Sequence, residues 1–313
     1  MPHWTAADIP DQTGRTVLVT GANSGLGLRS AEALARHGAT VLMACRNAER
    51  AEAARATVAG AATGPAPVVV TLDLADLASV RKAATEVDGA VDRLDVLMNN
   101  AGLMAPPLSR TADGFEVQFG TNHLGHFALT GLLLPALRRA TAPRVVTTSS
   151  GAHRMGRNRW DDPNYERSTY RRWPAYAQSK LANLLFTLEL GRRAVAHGSD
   201  LVAVAAHPGY AATHLQTTSA QQTGGALLSR VAGAFMATGN RIVAQSDEAG
   251  AKPQLYAATM ADVEQGDYFG PSGLFELRGD PERVDMTAAA RDAAAAGLLW
   301  SVSEELTGVT YAW

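Results

Sequence analysis

The stretch "VLVTGANSGLGLRSAEAL" (17–34) constrains the fold more than any other part of this 313-residue chain. A short apolar run leads into Gly21, Gly25 and Gly27, and a pattern with helical spacing follows. Glycine lets the backbone turn tightly and approach a pyrophosphate, and the N-terminus of the following helix favours its negative charge. The strand, turn and helix together predict a dinucleotide-binding site.

Short apolar runs alternate with helical segments along most of the chain. The predicted strands are residues 15–20, 39–45, 67–73, 95–102, 144–150 and 201–209, with 268–273 as a candidate last edge strand. Nearly all-apolar strands separated by helices predict a parallel sheet covered on both faces. Right-handed crossovers then give a doubly wound, Rossmann-type α/β fold. Without a linker or repeat, we expect a single domain over 1–313 that ends in a helix at 286–300.

Two segments, 151–173 and 210–245, interrupt this alternation. Both follow the carboxyl ends of predicted strands, where doubly wound sheets bind ligands, so we expect active-site insertions. The Gly224–Gly225 pair in the second predicts a mobile lid. The first contains Arg154, Arg157, Arg159, Arg167, Arg171 and Arg172, and the second Leu215, Leu227, Leu228, Val231, Phe235 and Met236. The arginines fit a solvated loop or an anion-attracting mouth, whereas the apolar residues favour a lipophilic substrate; both interpretations stay open.

Composition excludes several classes of protein. The net charge of −2 provides no general electrostatic reason to bind nucleic acid or an anionic membrane. Cys45 is the one cysteine, which excludes an internal disulfide and fits a reducing cytosol. The first residues lack a signal-peptide pattern, and no apolar run is long enough to span a membrane. We expect a cytoplasmic protein with no nucleic-acid or membrane partner, either a monomer or a homodimer.

The stretch "PAYAQSKLANLLF" (174–186) combines a helix start with two chemically useful side chains. Pro174 suits a first helical turn, and the leucines that follow have helical spacing. Tyr176 and Lys180 therefore form an i,i+4 pair on one helix face. Taken alone, such a pair is usually a tyrosine packed against a lysine stem, so its meaning depends on the rest of the chain.

The end of the second strand bears on which dinucleotide would bind. Cys45 stands where a carboxylate would meet the ribose of NAD, and Arg46 offers a fixed charge and several donors to a phosphate. This favours NADP(H), although Arg46 also fits an ordinary surface arginine. Asp73 could accept a hydrogen bond from the adenine amino group or cap the helix that starts near Asp76.

These features fall into an ordered set of motifs. They are "TGANSGLG" (20–27), "DL" (73–74), "NNAG" (99–102), "TNHLGHF" (121–127), "SS" (149–150), "YAQSK" (176–180) and "HPGYAAT" (207–213). In this order the chain resembles the short-chain dehydrogenase/reductases of the classical type, most closely the retinol dehydrogenase and protochlorophyllide reductase-like branch. The resemblance implies an oxidoreductase that moves a hydride between nicotinamide and the carbonyl or alcohol carbon of a small molecule.

Reduction of a carbonyl also needs a proton at oxygen, which Tyr176 can supply. A free tyrosine has a pKa of about 10, and the charge on Lys180 is expected to lower it. Ser150 can hydrogen-bond the substrate oxygen, whereas strand alternation turns Ser149 away. By resemblance, Lys180 also holds the nicotinamide ribose, and Asn122, in the helix after strand four, organises a water that links Lys180 to solvent.

The predicted site can now be stated in full. The catalytic residues are Asn122, Ser150, Tyr176 and Lys180. Residues and resemblance together assign the cofactor contacts to Gly21, Asn23, Ser24, Gly25, Leu26, Gly27, Arg46, Asp73, Leu74, Asn100, Ala101, Gly102, Tyr176, Lys180, Pro208, Gly209 and Thr213. His123 and His126 have a spacing that allows a metal, but without a third ligand we expect packing roles and no metal.

Two other functions compete with an NADP(H)-dependent carbonyl reductase or alcohol dehydrogenase. A nucleotide-binding sensor without turnover would not need Ser150, Tyr176 and Lys180 together. A nucleotide-sugar epimerase or dehydratase more often has the spacing T-G-x-x-G-x-x-G, which differs from the glycine spacing here.

Overall fold

A computed structural model describes residues 3–209 and 246–313. The strands of these residues form one eight-stranded sheet with the order β3-β2-β1-β4-β5-β6-β7-β8. The strands are β1 (Thr16–Thr20), β2 (Thr40–Cys45), β3 (Val68–Thr71), β4 (Val96–Asn99), β5 (Arg144–Thr148), β6 (Val202–Ala206), β7 (Tyr268–Pro271) and β8 (Pro281–Arg283). All neighbours from β3 to β7 pair in parallel. The prediction of a Rossmann-type, doubly wound parallel sheet is confirmed.

Helices cover both faces of the sheet. They are α1 (Gly25–Arg36), α2 (Ala48–Ala61), α3 (Leu77–Ala90), α4 (Val117–Phe119), α5 (Gly125–Leu132), α6 (Leu134–Arg138), α7 (Arg172–Ala196), α8 (Asp247–Thr259) and α9 (Ala293–Thr307). A π-helical turn, Gly120–Leu124, joins α4 to α5. Among the described helices, none is both long and apolar enough to cross a membrane.

The two hydrophobic cores follow from alternation along the strands. In β1, Val17 and Val19 pack with residues of α1, α2 and α8, whereas Leu18 packs on the opposite face with residues of α3, α5, α7 and α9. In β4, Leu97 packs on the same face of the sheet as Leu18, and Met98 packs on the same face as Val17. Neither Leu97 nor Met98 is more than 1% exposed. Burial of each such side chain contributes about 1.5–3 kcal/mol.

The edge of the sheet differs from the prediction. The strand expected at 268–273 is β7, which is not the edge, because β8 pairs with it in antiparallel orientation. β8 has the sequence "PER", and its second and third residues are exposed. Proline and charged residues suit an edge strand and lack the apolar run by which the other strands were found.

Two helices begin at residues other than the predicted ones. Pro174 is the third residue of α7, which begins at Arg172. The C-terminal helix begins at Ala293 rather than near 286, because Asp292 caps it by accepting a hydrogen bond from the Ala295 amide at 3.0 Å. The predicted lid over 210–245, like Thr213, lies outside the described residues.

Residues 151–173, here called the insert, are packed against α4 rather than wholly solvated. Trp160 is 3% exposed and stacks on Phe119, with ring centroids 6.0 Å apart. The Asn164 side chain accepts a hydrogen bond from the Glu116 amide at 2.9 Å. The buried Glu116 carboxylate in turn accepts from the Phe119 amide at 2.8 Å, while burial raises its pKa. The insert therefore has a packed interior, while its arginines are exposed.

Candidate active site

A cleft of about 330 Å³ lies at the carboxyl ends of the central strands. Its walls include the predicted cofactor residues Gly21, Asn23, Ser24, Gly25, Leu26, Gly27, Arg46, Asp73, Leu74, Asn100, Ala101 and Gly102. The structure thus brings together, around one cavity, residues from three separate sequence motifs and Arg46 from the end of the second strand. We call this cavity the cofactor cleft.

The glycine turn shapes the floor of the cofactor cleft. Gly21 has φ +70°, a left-handed conformation that residues with a side chain rarely adopt. A Cβ atom on Gly27 would lie 2.6 Å from Asn100 Nδ2 and would also meet the Gly21 carbonyl. Ser24 precedes α1 without a side-chain capping bond, so the first amides of α1 are left for another acceptor. This tight, electropositive cradle fits the pyrophosphate of a dinucleotide.

Two arginines line the cofactor cleft beyond β2. Arg46 was predicted, and Arg50, in the first turn of α2, was missed because it lies outside every motif. Both are exposed, and neither pairs with a carboxylate among the described residues. Cys45 is buried, and burial raises the pKa of its thiol to about 11. This strand end therefore presents positive charge without a carboxylate from β2.

Two roles were considered for Asp73, a helix cap and a cofactor contact, and the structure gives the first of them to Asp76. Asp76 caps α3 by accepting a hydrogen bond from the Ala78 amide at 2.9 Å. Asp73 accepts from the Ala75 amide at 2.9 Å and lines the cofactor cleft. The helix cap is therefore Asp76, and Asp73 remains a candidate cofactor contact.

Tyr176, Lys180 and Ser150 lie together where α7 crosses the end of β5. The Lys180 Nζ atom is 5.8 Å from the centroid of the Tyr176 ring and donates to the Thr148 carbonyl at 3.1 Å. The Ser150 hydroxyl, which accepts a hydrogen bond from the Ala152 amide at 3.2 Å, is near enough to Tyr176 to favour its phenolate. Ser149 instead donates to the Lys180 carbonyl at 2.8 Å, so the two serines point to different partners.

The pKa values in this group differ from the sequence-based expectation. Burial raises the pKa of Tyr176, and the nearby Ser150 hydroxyl acts in the opposite direction. Burial also lowers the pKa of Lys180 to about 8. The expectation that Lys180 holds the pKa of Tyr176 below its usual value is therefore wrong for this arrangement, because desolvation of the buried phenol dominates. At neutral pH the phenol carries its proton.

Asn122 lies in the π-helical turn rather than in a regular helix. Its side-chain amide pairs with the Leu103 backbone, accepting from the amide at 2.8 Å and donating to the carbonyl at 3.0 Å. Nδ2 also donates to the Ser179 hydroxyl at 2.9 Å, next to Lys180 in α7. Asn122 therefore joins the loop after β4 to the helix that carries Tyr176. Its role in a water relay stays a prediction.

His123 and His126 both have structural partners. His123 Nε2 lies 2.8 Å from the Ser303 hydroxyl. His126 Nδ1 lies 3.0 Å from the Asn122 carbonyl and Nε2 lies 2.9 Å from the Thr20 hydroxyl. Because a carbonyl only accepts, Nδ1 carries the proton and Nε2 accepts from Thr20. In residues 3–209 and 246–313, no three His, Cys, Asp or Glu side chains are arranged to hold a metal.

A chain of polar contacts secures the loop after β6 and was missed in the sequence. The Gly209 amide donates to His207 Nδ1 at 3.2 Å, and His207 Nε2 lies 3.0 Å from a Glu276 oxygen. Arg154 donates to the other Glu276 oxygen at 2.6 Å. Pro208 and Gly209 are therefore held between the insert and the connection from β7 to β8. Such distant charges carry no local spacing that could reveal the contact.

Gln254 of α8 is a second residue that the sequence did not reveal. Its Nε2 donates to the Ser30 hydroxyl at 2.7 Å and to Asn100 Oδ1 at 3.1 Å. Its Oε1 accepts from the Thr148 hydroxyl at 3.0 Å. One buried amide thus connects α1, the loop after β4 and the strand end that holds Lys180. A lone glutamine inside a helix belongs to no recognisable motif.

The family follows from this fold and from a comparison of sequences. The family model described as short chain dehydrogenase matches residues 15–224, about two thirds of the chain. The chain belongs to the short-chain dehydrogenase/reductase family and is an oxidoreductase of that family.

Individual relatives define its branch. Retinol dehydrogenase 13 of Homo sapiens is 40% identical over 299 residues, covering 95% of this chain and 85% of that protein. Retinol dehydrogenase 14 of Mus musculus is 40% identical over 309 residues, covering 95% and 86%. The chain lies in the retinol dehydrogenase branch of the family.

Solved structures agree with this placement. A protein from Mycobacterium Paratuberculosis, solved as an uncharacterized protein, is 46% identical with a TM-score of 0.81, covering 99% of this chain and 100% of that one. The Pseudomonas aeruginosa RhlG/NADP active-site complex is 25% identical with a TM-score of 0.64, covering 85% and 97%.

Proposed function

We propose that this oxidoreductase uses NADP(H) to transfer a hydride between nicotinamide and the carbonyl or alcohol carbon of a lipophilic small molecule. The observation that carries the proposal is the group of Ser150 with the buried Tyr176 and Lys180, which lies beyond a cleft whose glycine turn fits a pyrophosphate. The bound cofactor would supply the hydride chemistry, and the protein supplies position and proton.

The protein's part in carbonyl reduction follows from these three side chains. Tyr176 holds its proton at neutral pH and can donate it to the substrate oxygen. The Ser150 hydroxyl, near that of Tyr176, can donate to the same oxygen and stabilise the charge that develops there. The Lys180 ammonium, held by the Thr148 carbonyl, then stabilises the phenolate that remains. Tyr176 and Lys180 are buried and Ser150 is half-buried, and this shielding from bulk water strengthens these interactions.

Preference for NADP(H) is supported by the charges at the end of β2. Arg46 and Arg50 both face the cofactor cleft without a carboxylate partner among the described residues. Arginine suits phosphate because its planar donors match two phosphate oxygens. Cys45 is buried and neutral there, so it offers no carboxylate to the ribose hydroxyls of NAD(H). The similar Pseudomonas aeruginosa structure is, by its title, an NADP complex.

A lipophilic substrate is supported by exposed apolar side chains at the end of the insert and on a turn near it. Trp173 is 56% exposed, and its ring centroid lies 6.1 Å from that of Tyr176. Leu274 and Phe275 are 79% and 81% exposed on a turn tied to the insert by the Arg154–Glu276 pair. The similar retinol dehydrogenases are named for an alcohol that is itself lipophilic.

Replacement of Tyr176 by Phe tests the proposal directly. The phenyl ring keeps the packing but cannot donate a proton, so kcat for ketones and aldehydes with NADPH should fall by about 10²–10⁴-fold. NADPH affinity and melting temperature should change little. Tyr256→Phe is a matched control, because that hydroxyl donates to Asp262 and is not part of the group with Ser150 and Lys180.

The alternative function makes the opposite prediction. A sensor that binds NADPH without turnover would show no measurable reduction by the wild type across a substrate panel. A near-wild-type kcat for folded Tyr176→Phe would remove Tyr176 from the mechanism.

A further inference from the structure

A second concave site, of about 440 Å³, lies between the insert and the outer side of α7. We call it the insert pocket. From α7 it is lined by Pro174 and Gln178, which lie one helical turn apart. Gln178 is two residues from both Tyr176 and Lys180, a rotation of about 200° around the helix axis. The insert pocket and the catalytic group therefore use opposite sides of the same helix.

Three arginines of the insert line this pocket, namely Arg157, Arg159 and Arg171. The ion pairs that do form in the insert use other arginines, Arg154 with Glu276 and Arg167 with Asp161. In the described part of the chain, no carboxylate pairs with the three pocket arginines. Residues 1–2 and 210–245 contain no Asp or Glu, so they provide no carboxylate side chain either. Three uncompensated positive charges thus border one cavity.

Both aspartates of the insert have partners within it, and its third acidic residue, Glu166, is exposed and pairs with none of the pocket arginines in the described part of the chain. Asp162 accepts hydrogen bonds from the Glu166 amide at 2.8 Å and from the Ser168 hydroxyl at 2.6 Å. These bonds hold the pKa of Asp162 at about 2 despite the opposing effect of desolvation. Asp161 contacts Arg167 on an exposed part of the loop. Neither aspartate neutralises the pocket arginines.

Gln178 adds an independent sign of an absent acceptor. Its side chain is buried, with the residue 2% exposed, and its Oε1 accepts from the Tyr165 hydroxyl at 3.4 Å. The amide nitrogen has no hydrogen-bond partner among the described residues. Buried donors are nearly always paired in native proteins, so Gln178 keeps an unused donor just behind the wall of the pocket.

We propose that the insert pocket binds a small organic phosphate. Arginine donors match phosphate oxygens in pairs, and three arginines suit a dianion better than a single carboxylate. Met155 and Pro174 add apolar wall for an organic group. The volume and concave form fit a small molecule rather than a flat macromolecular surface. Because the site lies across α7 from Tyr176, its ligand is not the molecule that accepts the hydride, and the proposal does not rest on the proposed redox function.

The test is a calorimetric titration of the full chain with phenyl phosphate, inorganic phosphate and phenol. The titrations are made first with the wild type and then in an Arg46→Gln, Arg50→Gln background, which removes the arginines of the cofactor cleft. Phenyl phosphate should saturate one site, inorganic phosphate should bind more weakly, and phenol should not bind. Arg157→Gln, Arg159→Gln or Arg171→Gln should each weaken phenyl phosphate binding by about tenfold or more.

Arg167→Gln is the matched control, because Arg167 belongs to the insert but pairs with Asp161 and does not line the pocket. Its affinity should equal that of the background protein. Three results would overturn the proposal. They are absence of saturable binding, binding that the Arg46 and Arg50 changes abolish, and equal loss of affinity in Arg167→Gln and the pocket variants.

Discussion

Helix α7 separates two basic regions that were found in different ways. On one side, Tyr176 and Lys180 lie near the cofactor cleft, where Arg46 and Arg50 stand at the end of β2. On the other side, the insert pocket gathers arginines from a loop that only tertiary packing closes. The first region follows from regular spacing along strands and helices, whereas the second depends on contacts made by Trp160 and its neighbours.

The difference shows what local sequence spacing can encode. The i,i+4 pair in α7 fixes which side chains share a face before any tertiary contact is known. The arginines of the insert have no such period, and their meaning changes with the fold of the loop. We therefore expect the two regions to respond to different substitutions.

The largest expected effect is on the insert. Trp160→Ala removes a buried aromatic side chain that stacks on Phe119 and should lower the free energy of unfolding by about 3–5 kcal/mol. Phenyl phosphate affinity should fall with it, because the loop that carries the pocket arginines loses its anchor. Denaturant unfolding and the calorimetric titration measure the two effects.

Trp173→Ala is the control for this prediction, since Trp173 is 56% exposed and lies on the catalytic side of α7. Its free energy of unfolding should stay within about 0.5 kcal/mol of wild type. Equal destabilisation by the two substitutions would contradict an anchoring role for Trp160.

On the catalytic side, Lys180 should give stability a distinct pH dependence. Burial lowers its folded pKa to about 8, below its unfolded value of 10.5, so the unfolded chain binds more protons between these values. The free energy of unfolding attributable to Lys180 should therefore rise as pH increases through this window, by roughly 3 kcal/mol in total. Lys180→Met should lack this rise when unfolding is measured from pH 7 to 10.

Lys82→Met supplies the comparison for that measurement, because Lys82 is exposed on α3. Its stability curve should run parallel to that of the wild type. If the curve of Lys180→Met is also parallel, Lys180 does not titrate differently in the folded and unfolded proteins.

The smallest effect should appear in cofactor choice. Arg46→Ala should weaken NADPH binding by about 1.5–3 kcal/mol through loss of a charged hydrogen bond, and should leave NADH affinity unchanged. Phenyl phosphate binding in the insert pocket should also be unaffected, which separates the two basic regions. Arg55→Ala is the control, since Arg55 lies on α2 but pairs with Glu52.

Fluorescence titration with both dinucleotides gives the affinities. Equal dissociation constants for NADPH and NADH in the wild type would remove the proposed preference. A similar loss of NADPH affinity in Arg55→Ala would point to general electrostatic attraction rather than a contact at Arg46.

The sequence predicted those parts of the molecule that repeat with a regular period. The parallel strands, the glycine turn and the Tyr176–Lys180 face all have spacings that physics ties to one local geometry. β8 could not be found because a three-residue edge strand has no apolar period. The pKa direction of Tyr176 also could not be read from spacing, since it depends on how strongly the fold desolvates the phenol.

Long-range polar contacts form the other group of features that were missed. Glu116 caps α4 and receives the insert through Asn164, and His207 meets Glu276 across the sheet end. Each contact is determined by where distant segments arrive in space. Pairwise chemistry explains these contacts once the fold is known, but no local rule selects them from the many charged residues available.

The position of Gln254 has a consequence for synthesis on the ribosome. Its partners Ser30, Asn100 and Thr148 precede it by 224, 154 and 106 residues. Contacts of such long sequence separation form late, because the intervening chain must be ordered first. The glycine turn, Tyr176 and Lys180 are therefore synthesised well before Gln254, whose side chain connects the segments around them. We expect dinucleotide binding to begin only after α8 has left the ribosome.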